Sequence, residues 1–150
     1  MTYREILLVL HISGAATWLG ANVVQAVVPP VAARVGTETL AGWYRVTSAL
    51  STRLYVPAAV LILLTGILLV LENDAYGFGS VFVTIGFAMI IVGALFGQFV
   101  FGPGGEAAAQ AVESGEVDRV RGAVARLTRF GLIDTLLLLF TITAMVIRLD

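Results

Sequence analysis

Four apolar runs, residues 6–28, 54–71, 81–101 and 130–147, constrain this chain more than any other feature, because each approaches or exceeds the length that crosses a bilayer as a helix. A helix needs about 20 predominantly apolar residues to cover about 30 Å of hydrocarbon. The fold expected from these runs is all-α: a single integral membrane domain over residues 1–150, built as a four-transmembrane-helix bundle. Composition agrees, since 59% of the residues are hydrophobic and the mean hydropathy is +0.96, well beyond a soluble domain. The bilayer is then the principal partner.

Net charge is -1, so no basic field points to nucleic acid. The chain has no Cys, which removes disulfides, thiolate metal sites and cysteine nucleophiles. Near the N-terminus, Ser13-Gly14-Ala15-Ala16 has the small residues of a signal cleavage region. The apolar run nevertheless continues through Trp18 and Leu19 to Val28, too long for a typical signal core.

Arginine sets the orientation, because short loops rich in Arg tend to remain cytoplasmic. Arg34, Arg45 and Arg53 lie in one long connection, and Arg119, Arg121, Arg126 and Arg129 in the other. The opposite side carries Arg4, Arg148 and the acidic turn Glu72-Asn73-Asp74, so both termini are expected outside. The connections open with the breakers Pro29-Pro30 and Gly102-Pro103-Gly104-Gly105. Each then returns to helical periodicity, through Leu40, Trp43, Thr47, Leu50 and Leu54 in the first and Val117, Val120, Val124, Leu127 and Phe130 in the second. Helical extensions are therefore expected over 38–53 and 106–129, with a kink at Pro57. A faint repeat matches Gly20-Ala21 and Gln25 to Gly93-Ala94 and Gln98, and Thr52-Arg53 to Thr128-Arg129. It is compatible with two tandem hairpins of the same orientation or with chance similarity of apolar sequence.

Polar residues within hydrocarbon are costly and tend to face the bundle interior. His11, Ala15, Trp18, Asn22 and Gln25 share one helical face, as do Asp134, Thr141, Met145 and Arg148. Matching depths across antiparallel helices places His11 level with Thr141 and Met145. Asn22, Gln25 and Gln98 fall level with Asp134, roughly 15 Å away. That separation excludes a directly bonded His11–Asp134 acid–base pair. Asp134 reads as an interior carboxylate held by Arg53 or by Gln25 and Asn22, or as part of a proton or ion pathway. His11 reads as bonded to Thr141 or Thr84, or as a haem or copper ligand with Met145 opposite, since soft Cu(I) accepts thioether sulfur and haem iron accepts His and Met. Gly86, Gly93 and Gly97 share a face of the third run and serve either close packing in the bundle or a homodimer.

The segment Leu10-His11-Ile12-Ser13-Gly14 followed by Trp18-Leu19-Gly20 resembles the first helix of a widespread bacterial family of predicted integral membrane proteins of unknown function. Pro57-Ala58-Ala59, the stretch from Leu64-Thr65-Gly66 to Glu72, Gly77-Phe78-Gly79, Gly102-Pro103 and Asp134 with its leucine run extend the resemblance over nearly the whole chain. It implies a bacterial plasma membrane location. A His ahead of Trp-x-Gly in a first membrane helix is also similar to CopD-like copper-resistance proteins and HemJ-type protoporphyrinogen oxidases, which implies a metal or haem role for His11. This chain has no second His for a bis-His site, and Ala144 stands where the family often has an acidic residue before the Met. The function expected is binding or transport-accessory, handling copper or another cation. A haem-binding redox protein and a structural partner of a larger membrane complex are the alternatives, and no catalytic constellation is recognised.

The orientation is testable with single cysteines, as no native thiol interferes. In intact cells an impermeant thiol reagent should label Asn73→Cys and spare Ser114→Cys. The opposite pattern would invert the topology.

Overall fold

In a computed structural model, which describes residues 1–149, the chain forms four long helices. They are α1 (Tyr3–Val35), α2 (Thr37–Leu71), α3 (Val81–Ser114) and α4 (Val117–Ile147), each long and apolar enough to cross a membrane. No strand occurs among the described residues. Consecutive helices run antiparallel and pack as neighbours, and α4 closes the ring on α1. Both termini therefore lie at one end of the bundle, and the α1–α2 and α3–α4 turns at the other.

α1 starts with a reciprocal cap: the Thr2 hydroxyl accepts from the Glu5 N–H at 3.3 Å, and the Glu5 carboxylate accepts from the Thr2 N–H at 2.8 Å. Two of the four free N–H groups of a helix start are thereby satisfied. Each tight turn rests on a glycine with positive φ, Gly36 at 153° and Gly115 at 70°, conformations that other residues rarely adopt.

The turns are not where the sequence's breakers suggest. Pro29 and Pro30 lie inside α1, and Gly102-Pro103-Gly104-Gly105 lies inside α3, so the 106–129 extension is divided at Gly115 between two helices. Proline lacks an N–H and crowds the carbonyl four residues earlier. At Pro57 and Pro103 the helix absorbs this in a π turn just upstream, Ser51–Tyr55 in α2 and Gly97–Phe101 in α3. The crowded carbonyls, those of Arg53 and Phe99, fall within these wider turns, and the Phe99 carbonyl accepts from Arg126 at 3.4 Å. The π turns occupy the second helix of one hairpin and the first of the other, so they do not follow the sequence repeat.

Packing is closest at the turn end, where Ala41 and Tyr44 of α2 bury against Ala108, Ala109 and Val112 of α3. Val120, Val124 and Leu127 of α4 cover this cluster. A Cβ on Gly105 would lie 2.8 Å from both Ser48 N and Tyr44 O, two backbone atoms. At the terminal end, Phe82 N–H bonds the Leu149 carbonyl, Tyr76 meets Phe82 edge-on, and the Arg148 guanidinium sits 5.9 Å above the Tyr76 ring.

Small-to-large substitution in so tight a contact costs about 1–3 kcal/mol, whereas Gly to Ala in an open helical position gains about 0.5–1 kcal/mol. Gly105→Ala should therefore destabilise the bundle, while Gly20→Ala, with nothing within 4 Å, should be neutral or stabilising. Thermal unfolding in detergent measures both, and equal midpoints would show that the α2–α3 contact is looser than described.

Candidate functional site

The face of α1 that carries His11, Ala15, Trp18, Asn22 and Gln25 points into the bundle, and each of its polar groups meets another helix. Asp134 of α4 is 1% exposed. Its Oδ2 accepts from Trp18 Nε1 at 2.9 Å and from Asn22 Nδ2 at 2.8 Å. The Asn22 carbonyl accepts from the Tyr55 hydroxyl at 2.7 Å, and Tyr55 accepts from Gln25 Nε2 at 2.7 Å. Every bond in this chain is directed toward the carboxylate. Its second oxygen, Oδ1, is buried with no hydrogen-bond partner among the described residues, and the arginine expected beside it, Arg53, is exposed at the surface.

Nearer the terminal end, His11 Nδ1 lies 3.1 Å from both the Ile62 carbonyl and Thr65 Oγ1 of α2. The Thr65 hydroxyl donates to Leu61 O at 2.6 Å. A carbonyl only accepts, so in the neutral ring Nδ1 carries the proton and Nε2 keeps its lone pair. Metal-binding histidines commonly have this arrangement, with one nitrogen donating to a backbone carbonyl and the other ligating.

His11 also lines a cavity of about 30 Å³ shared with Trp18, Met89, Thr141 and Met145. Among the described residues, no group of three or more His, Asp or Glu side chains is placed to hold a metal. The donors available in the cavity are one imidazole and two thioethers, with the Thr141 hydroxyl committed to Leu137 O at 2.8 Å. A soft cation fits such a donor set. The volume holds one water-sized species and has no room for a porphyrin.

Absent side chains create the fit. A Cβ on Gly93 would lie 2.4 Å from the Trp18 ring, one on Gly86 2.5 Å from Met145 Cε, and one on Gly66 3.3 Å from His11 Cε1. Gly86 and Gly93 are thus taken up within the bundle, which is the close-packing role; of the three glycines offered for a homodimer, only Gly97 meets nothing within 4 Å.

The structure brings together His11, Trp18, Thr141 and Met145 at one level, and Asn22, Gln25 and Asp134 at the other. His11 bonds Thr65 rather than Thr141 or Thr84, and Thr84 is exposed. Gln98 is also exposed and does not join the interior cluster. It matches Asp134 in depth but lies five residues beyond buried Gly93, about 140° around the helix. Three interior residues, Tyr55, Thr65 and Met89, escaped the sequence reading. Met89 had a signal, its i+3 spacing from Gly86 on the inward face.

Replacing a carboxylate that accepts from buried Trp18 and half-buried Asn22 leaves both donors unsatisfied, at a cost of about 1–3 kcal/mol for the buried one. Asp134→Leu should destabilise the bundle by about that amount, and Asp134→Asn by less, because its carbonyl still accepts. Equal unfolding temperatures for the two variants and wild type would show that the network does not hold α4 to α1. No protein-family model, curated protein or solved structure matches the chain.

Proposed function

We propose that the protein is a membrane binding protein for a soft monovalent metal ion of the Cu(I) class, held by His11 Nε2 and the sulfurs of Met89 and Met145. The observation that carries this reading is that the chain's one imidazole and both methionines of its spans line the same cavity of about 30 Å³. Two thioethers and a neutral imidazole suit Cu(I) or Ag(I) and bind hard divalent ions poorly. The Nδ1 contact with Ile62 O supports it further, because it fixes the ring and leaves Nε2 free. The haem alternative finds no comparable support, as Trp18, Ile62 and Leu138 fill the space a porphyrin would need. With both termini outside, the cavity lies nearer the outer face, the side from which an accessory protein would collect or deliver an ion.

Competition titration of the purified protein against a chromophoric Cu(I) chelator tests the proposal. Wild type should bind one Cu(I), and His11→Ala, Met89→Leu and Met145→Leu should each weaken binding about tenfold or more. Retention of wild-type affinity in all three variants contradicts the site. Loss in His11→Ala alone contradicts the thioether part of it.

A further inference from the structure

The arginines on the turn-end part of α4 fall into two sets. Arg119 and Arg121 each follow an acid by three residues and pair with it, Arg119 with Glu116 at 3.1 Å and Arg121 with Asp118 at 3.5 Å. Arg126 and Arg129 are instead three residues from each other, and α4 has no acid between Asp118 and Asp134. Both are exposed, and neither meets a carboxylate among the described residues. Residues at this spacing have Cβ atoms about 5–6 Å apart, so like charges there repel. An anion held between the two guanidinium groups would remove that repulsion.

The division follows depth. Phe130 opens the last apolar run, and at about 1.5 Å per residue Arg129 and Arg126 stand about 1.5 and 6 Å outside it. The headgroup region adds about 5–8 Å to each side of the hydrocarbon, so both guanidinium groups are at the level of lipid phosphates. Arg121 and Arg119 stand about 14 and 17 Å out, beyond the phosphates, and there the chain supplies its own acids. On the hydrocarbon side, Ile133 lies one turn deeper than Arg129, and Phe99 is the residue whose carbonyl Arg126 meets. Both are exposed apolar side chains, a surface suited to acyl chains.

We propose that Arg126 and Arg129 bind the phosphate of one anionic phospholipid in the leaflet at the turn end, with its acyl chains against Ile133 and Phe99. A guanidinium group presents paired N–H donors that match two phosphate oxygens. The Phe99 carbonyl takes one donor of Arg126, which limits the freedom of that side chain and leaves its other donors for the lipid. A zwitterionic lipid carries its own cation beside the phosphate, so it neutralises two arginines less well than a lipid of net negative charge. The site lies at the turn end, away from the His11 cavity, and stands whatever that cavity binds.

Native mass spectrometry of the full chain in detergent, with phosphatidylglycerol or phosphatidylcholine of the same acyl chains added, tests the site. Wild type should retain one phosphatidylglycerol in preference to phosphatidylcholine by about tenfold or more. Arg129→Gln, which breaks no bond inside the protein, should lower that preference about fivefold, and the double variant Arg126→Gln with Arg129→Gln should abolish it. The pair Arg119→Gln with Arg121→Gln removes the same charge farther out and should keep the preference within about twofold. Unfolding midpoints of wild type and Arg129→Gln should agree in lipid-free detergent, and added phosphatidylglycerol should raise the wild-type midpoint more. Equal retention of the two lipids by wild type overturns the proposal. Equal loss in the Arg119 and Arg121 variant also overturns it, because the attraction would then follow net charge alone. Displacement of phosphatidylglycerol by the same concentration of inorganic phosphate overturns the lipid as ligand.

Discussion

The bond from Trp18 to Asp134 is the interaction on which the rest of the interior depends. It joins the first helix to the last and so closes the ring of helices. A buried carboxylate is unfavourable in a hydrocarbon-facing bundle unless donors surround it, and here the donors come from one face of α1. That requirement fixes the rotation of α1, and the same rotation turns His11 toward Thr65 and Met145. Core polarity and site geometry are consequently one arrangement: a change at Asp134 is felt at Trp18, which is also a wall of the cavity.

Lipid offers little hydrophobic reason for helices to associate, so closeness of packing and polar contacts must hold the bundle. Glycines supply the closeness at the points that matter. Gly93 admits the Trp18 ring, Gly86 the end of Met145, and Gly66 the edge of His11. The π turns serve the same end for the backbone, letting α2 and α3 carry proline without a break. The turn at Ser51–Tyr55 also includes Tyr55, the residue that links Gln25 to Asn22.

The all-helical architecture and the interior face of α1 were legible in the sequence, because hydrophobic length and a period of about 3.6 residues are local properties. The partners of that face were legible only in part. Depth matching brought Asn22 to Asp134 correctly, but it ignored rotation for Gln98 and passed over Tyr55, the second residue of the apolar run 54–71. Pro29, Pro30 and Pro103 misled for a physical reason: rules for helix breaking describe water, where a freed carbonyl is readily solvated, while in a membrane span the helix is kept because the backbone has no better partner.

Copper K-edge X-ray absorption on the protein loaded with one equivalent of Cu(I) tests the central claim most directly. The expected first shell is one imidazole nitrogen and two thioether sulfurs, reduced to one sulfur in Met89→Leu. A shell of nitrogen and oxygen alone would contradict it.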